Sequence, residues 1–94
     1  MWTIRQTYEA ALEHYGVHSQ MVKCMEECGE LIQALARNLS GEHNEENVAE
    51  ELADVEIMIQ QMRLIFGGSV GYNVDIIKAQ KVARLKKRIE EEEE

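Results

Sequence analysis

Ninety-four residues with a formal charge of −8, no proline and two cysteines describe one small domain. The negative field and the lack of any interleaved basic and aromatic run argue against duplex nucleic acid as a partner, and no apolar run reaches the length of a membrane span. Ala, Leu, Glu, Lys, Gln and Met are plentiful and no β-rich run competes, so the expected fold class is all-α. A helical bundle of about four helices is expected, completed by homo-oligomerisation because a chain this short buries little alone.

The first helix should run from an N-cap at Thr3 to Tyr15, where Gly16 stops it. Ile4, Tyr8, Ala11, Leu12 and Tyr15 recur at three- and four-residue steps and should face the core. Trp2 just before it reads as a packing or interface residue, and His14 and His18 as exposed turn residues. Met1 to Gly16 lacks the apolar centre of a secretory signal. Cys24 and Cys28, one helical turn apart, read as free thiols. Both features suit a cytoplasmic protein.

The second helix is expected after Ser19, an N-cap candidate, and should end near Leu39, before Ser40 and Gly41. Its apolar stripe is Val22, Met25, Leu31, Ile32, Leu35 and Leu39. Gly29 costs such a helix roughly 1 kcal/mol relative to Ala. Either a neighbouring helix or ligand comes close there, or the glycine is simply tolerated. A polar connection then leads to the third helix, capped by Asn44 or Asn47, with Glu45 and Glu46 in its first turn as the helix dipole prefers. Its stripe is Val48, Leu52, Val55, Ile59, Met62 and Phe66, with Gln60 and Arg63 outside.

Gly67 and Gly68 should end that helix, Ser69 to Tyr72 form a loop, and Asn73 cap a fourth helix reaching about Glu90. Val74, Ile77, Val82, Leu85 and Ile89 share this last helix with Lys78, Lys81, Arg84 and Arg88. The domain is thus expected over residues 1–89, with 90–94 a solvated acidic tail or frayed helix end.

Two acidic pairs carry the chemistry. Glu27 with Glu30 and Glu51 with Asp54 are each three residues apart, which sets both side chains roughly 60° apart on one helix face. Facing helices would converge four carboxylates, an arrangement that repels itself unless it binds a hard, oxygen-seeking cation such as Mg²⁺. Between Glu26 and Asp54 the only Lys or Arg is Arg37, while the later helix is rich in both. A metal site beside a cationic surface suits a polyphosphate ligand. No P-loop, zinc pattern or nucleophilic triad competes.

These residues resemble the MazG-like, all-α nucleoside triphosphate pyrophosphohydrolase superfamily, marked by an ExxE helix, a linker and an ExxD helix. Here the motifs read Glu27-Cys28-Gly29-Glu30 and Glu51-Leu52-Ala53-Asp54, each followed by an apolar residue, Leu31 and Val55. The upstream YGVHSQMVKCMEE and downstream KVARLKKRI also look like small single-domain members, so the likeness covers about Tyr15 to Ile89. It implies a homodimer or homotetramer that binds Mg²⁺, with Mn²⁺ as a substitute, and cleaves a nucleoside triphosphate to monophosphate and pyrophosphate in nucleotide house-cleaning. The metal ligands carry over to Glu27, Glu30, Glu51 and Asp54. Glu26 or Glu50 would be the general base, and Lys78, Lys81 and Arg84 would bind phosphate, in part across a subunit interface. Phosphoribosyl-ATP is an alternative substrate, and a non-enzymatic helical oligomer or regulatory partner is the alternative outside catalysis.

Overall fold

The structure, a computed structural model, describes residues 1–68 and 73–93. Four helices make up its regular structure: α1 (Ile4–Tyr15), α2 (Val17–Leu39), α3 (Glu45–Phe66) and α4 (Val74–Glu92). None of them is long and apolar enough to cross a membrane. The expected loop at Ser69 to Tyr72 and the terminal Glu94 lie outside the described residues.

The caps follow the local sequence. Thr3 Oγ1 accepts the Gln6 N–H at 3.1 Å and Gln6 Oε1 accepts the Thr3 N–H at 2.9 Å, a reciprocal pair that satisfies two donors at the start of α1. Gly16, at φ 91°, ends α1 in a conformation that side chains resist. That single residue turns the chain, so α2 begins immediately at Val17. Ser19 therefore lies inside α2, against the expectation that it caps the helix. Asn73 does cap α4, accepting the Ile76 N–H at 3.2 Å. Asn44 occupies the N-cap position of α3 without capping it. Its Nδ2 instead donates to the Ala34 carbonyl at 3.0 Å, and its Oδ1 accepts from Asn38 Nδ2 at 3.2 Å, which ties the start of α3 to the end of α2.

Helices α2 and α3 pack side by side, and residues meet in opposite order along them. Gln20 meets Gln61, Glu27 meets Glu51 and Asp54, and Ala34 and Asn38 meet Asn44, so the pair is antiparallel. The inward positions alternate three- and four-residue steps, as at a coiled-coil seam: Gln20, Cys24, Glu27, Leu31, Ala34 and Asn38 on α2, and Val48, Glu51, Val55, Met58, Met62 and Ile65 on α3, with Gln61 also buried there beside Met58.

This corrects the expected stripes. Val22, Met25, Ile32, Leu35 and Leu39 are exposed on α2, as are Leu52, Ile59 and Phe66 on α3. Each helix carries apolar residues on more than one side, and the side chosen for the seam is the one that includes polar residues. Gln20 and Gln61 are satisfied there by each other, through a hydrogen bond of 2.7 Å. On α1, which packs across both helices, Tyr8, Ala11 and Leu12 are half-buried, whereas Ile4 and Tyr15 are exposed against expectation. A Cβ on Gly29 would meet nothing within 4 Å, so among the described residues no neighbouring helix requires the glycine.

Among the described residues, the fourth helix packs along none of the others. Its ties are the Arg63–Asp75 ion pair and the Val74 N–H donated to the Gly67 carbonyl at 3.4 Å. Arg63 is consequently mostly covered rather than on the outer surface, while Gln60 is exposed as expected. A side chain on Gly67 would press on Arg63 backbone and Val74 at this junction. Glu90–Glu92 extend α4 as an exposed helix end. The radius of gyration is 16.7 Å, against about 12 Å for a compact chain of this length.

Candidate metal centre

Because α2 and α3 run antiparallel with the ExxE and ExxD segments at the same level, Glu27 of the first acidic pair meets both acids of the second across the seam. Carboxylate oxygens of Glu27, Glu51 and Asp54 lie within 4.8 Å of one another. Glu27 is only 6 % exposed, Glu51 is half-buried and Asp54 is exposed, so the group runs from the seam outward to solvent. Glu30, the fourth expected ligand, stays exposed and outside this trio. It is close enough to feel it, however. The negative charge of Glu27 first, then loss of water and the charge of Glu51, hold the Glu30 carboxyl above its ordinary value, with Lys23 opposing.

Each inward glutamate is served by the residue four positions earlier on its own helix. Lys23 Nζ lies 3.1 Å from Glu27 Oε1, and Asn47 Nδ2 donates to Glu51 Oε1 at 3.4 Å. Neither residue was among the expected site residues, although the i, i+4 spacing is visible in the sequence. The second oxygens, Glu27 Oε2 and Glu51 Oε2, are buried and have no hydrogen-bond partner. Unpartnered buried carboxylate oxygens are costly unless a cation completes them. The carboxylates of Glu27, Glu51 and Asp54 form an all-oxygen donor set of the kind Mg²⁺ and Mn²⁺ prefer, so the residues present fit a hard divalent ion.

The remaining expected site residues are not in this group. Glu26 and Glu50 are exposed. Glu26 lines an open groove of about 450 Å³ with Tyr15, Ser19, Gln20, Val22, Lys23 and Met58, whereas Glu50 lines none of the described cavities. Lys78, Lys81 and Arg84 are exposed on α4, which does not pack on α2 or α3. Within one chain they are not brought to the acids. Trp2 is exposed beside α1, bordering a wide concavity that contains none of the site acids.

The Glu30 shift has a definite sign in stability. A carboxyl whose folded pKa lies above its unfolded value favours folding below the unfolded pKa, and that contribution is lost as pH rises through the folded pKa. Metal-free protein should therefore gain stability from Glu30 on acidification through the carboxylate range. A carbon-detected NMR titration should place the Glu30 midpoint above the peptide value of about 4.3. A midpoint at or below the peptide value would mean that Glu30 does not sense the trio.

Compared with models of known protein families, with curated proteins and with solved structures, the chain matches none.

Proposed function

We propose that the chain is a MazG-like, Mg²⁺-dependent nucleotide pyrophosphohydrolase acting on a nucleoside triphosphate. The observation that carries this reading is the meeting of Glu27, Glu51 and Asp54 from two separate acidic motifs, with buried oxygens left unpaired on both inward glutamates. Those three residues would hold the metal, with Glu30 at its edge as a fourth carboxylate. When bound, Mg²⁺ supplies Lewis-acid neutralisation of the charge that builds up as the triphosphate is cleaved. Asn47 fixes the orientation of Glu51, and Gln20 with Gln61 holds α2 against α3 beneath the groove. Of the two neighbouring acids, Glu26 opens onto that groove and is better placed than Glu50 to accept a proton from an attacking water.

The proposed assembly is a homodimer or homotetramer. Among the described residues only Ala34, Val55 and Met58 are buried apolar side chains, and many larger ones are exposed on α2, α3 and α4. On α4, Val74, Ile77, Val82 and Leu85 border one apolar groove together with Lys78 and Lys81. A second copy is the occupant this surface fits, because a basic, apolar α4 complements the acidic, apolar outer faces of α2 and α3. Such an arrangement would also carry Lys78, Lys81 and Arg84 to the acids, where they would bind phosphate oxygens.

The test is pyrophosphate release from a panel of ribo- and deoxynucleoside triphosphates, with modified bases and phosphoribosyl-ATP included, in Mg²⁺ and in EDTA. Chelator-sensitive release is expected. No release from any substrate would overturn the enzymatic reading in favour of a non-catalytic helical oligomer.

A further inference from the structure

The one cation placed on the acidic trio comes from α2 itself. Among the described residues no Lys or Arg other than Lys23 pairs with Glu27, Glu51 or Asp54. Its ammonium takes Oε1 of Glu27, a side chain only 8 % exposed whose other oxygen has no partner. The lysine side chain is itself 54 % exposed, so the pair joins a buried anion to a cation still in contact with water. A four-carbon stem with a compact, hydrated head can leave such a position by rotation alone.

We propose that Lys23 is an exchangeable counter-ion. It neutralises Glu27 in the metal-free chain, yields that carboxylate to the divalent cation, and then binds phosphate oxygens of the ligand in the adjoining groove. The inference rests on the metal-dependent reading above and adds to it the residue that links metal loading to ligand binding. Its physical basis is competition. An ammonium and a divalent ion drawn to one carboxylate repel each other, and the dication gains more from three carboxylates than the ammonium does from one.

Where Lys23 would go is set by its surroundings. Its side chain borders the groove formed by Tyr15, Ser19, Gln20, Glu26 and Met58, on the same helix as Glu27. An ammonium released from Glu27 would still border that groove. Lysine serves there as a point charge for phosphate. The cations of α4 do not reach the acids within one chain, so Lys23 is the in-chain cation available for this role.

The experiment compares wild type with Lys23→Gln and Lys23→Arg. Mn²⁺ alone is titrated, with free ion followed by electron paramagnetic resonance. Imidodiphosphate, a pyrophosphate analogue that resists hydrolysis, is then titrated calorimetrically at saturating Mn²⁺. Lys23→Gln should bind Mn²⁺ at least about threefold more tightly, having lost its competitor, and should bind imidodiphosphate roughly tenfold more weakly, the usual loss for one charged hydrogen bond. Lys23→Arg, which keeps the charge and the fold, should bind Mn²⁺ no more tightly than wild type and recover most of the imidodiphosphate affinity. Unchanged or weaker Mn²⁺ binding by Lys23→Gln, or tighter binding by Lys23→Arg, would overturn the counter-ion role while leaving the metal site standing. A wild-type chain that binds no Mn²⁺ would overturn the metal-dependent reading and this inference together.

Discussion

Glu27→Gln should reduce metal-dependent pyrophosphate release by at least about a hundredfold, because changes merely behind a ligand already cost ten- to a hundredfold. The substitution keeps the shape of the side chain and removes its charge. The buried position on α2 should therefore stay filled, and circular dichroism should show an intact helical fold. Asp54→Ala should cause a loss of the same order, since Asp54 belongs to the trio. Glu30→Ala should cost less than either, because Glu30 stands outside it and acts mainly through its charge. The order matters as much as the size. Equal, complete loss for Glu30 and Glu27 would mean that Glu30 swings inward to join the metal, and wild-type rates for all three would place the chemistry elsewhere.

Met58→Ala is expected to cost about 2 to 5 kcal/mol of folding stability, the range for truncating a buried methionine. Met58 is 5 % exposed and lies in the α2–α3 seam beside Gln61, whose Nε2 contacts its sulfur at 3.8 Å. With so few buried apolar side chains and a typical domain stability of roughly 5 to 15 kcal/mol, a loss of this size leaves little fold at ordinary temperature. Leu52→Ala, at a position 47 % exposed, should cost under about 1 kcal/mol in dilute protein, where only one chain's contacts count. At high concentration its effect should grow if the outer stripe is covered by a second copy, since association adds to apparent stability. Urea denaturation of both variants across a concentration series separates these contributions. A Met58→Ala variant as stable as wild type would show that the seam is not where the chain's core lies.

What the amino-acid sequence determined by itself is local or lies within one helix. The four helices, the Thr3 capping box, the stop at Gly16 and the Asn73 cap depend on contacts three or four residues apart, which residue order specifies directly. The acidic pairs were legible for the same reason, and the i, i+4 partners Lys23 and Asn47 could have been read alongside them. Which side of a helix turns inward is a different kind of fact. Helices α2 and α3 are apolar on more than one side, and ranking by hydrophobicity favoured Ile32, Leu52 and Ile59 over a seam that includes Gln20, Glu27, Glu51 and Gln61. Only the tertiary structure settles that choice, because a buried polar residue is acceptable once its partner arrives from the other helix, as Gln20 and Gln61 show. The same holds for the separation of α4, which follows from where whole helices lie in space and which no residue's own neighbours in sequence encode.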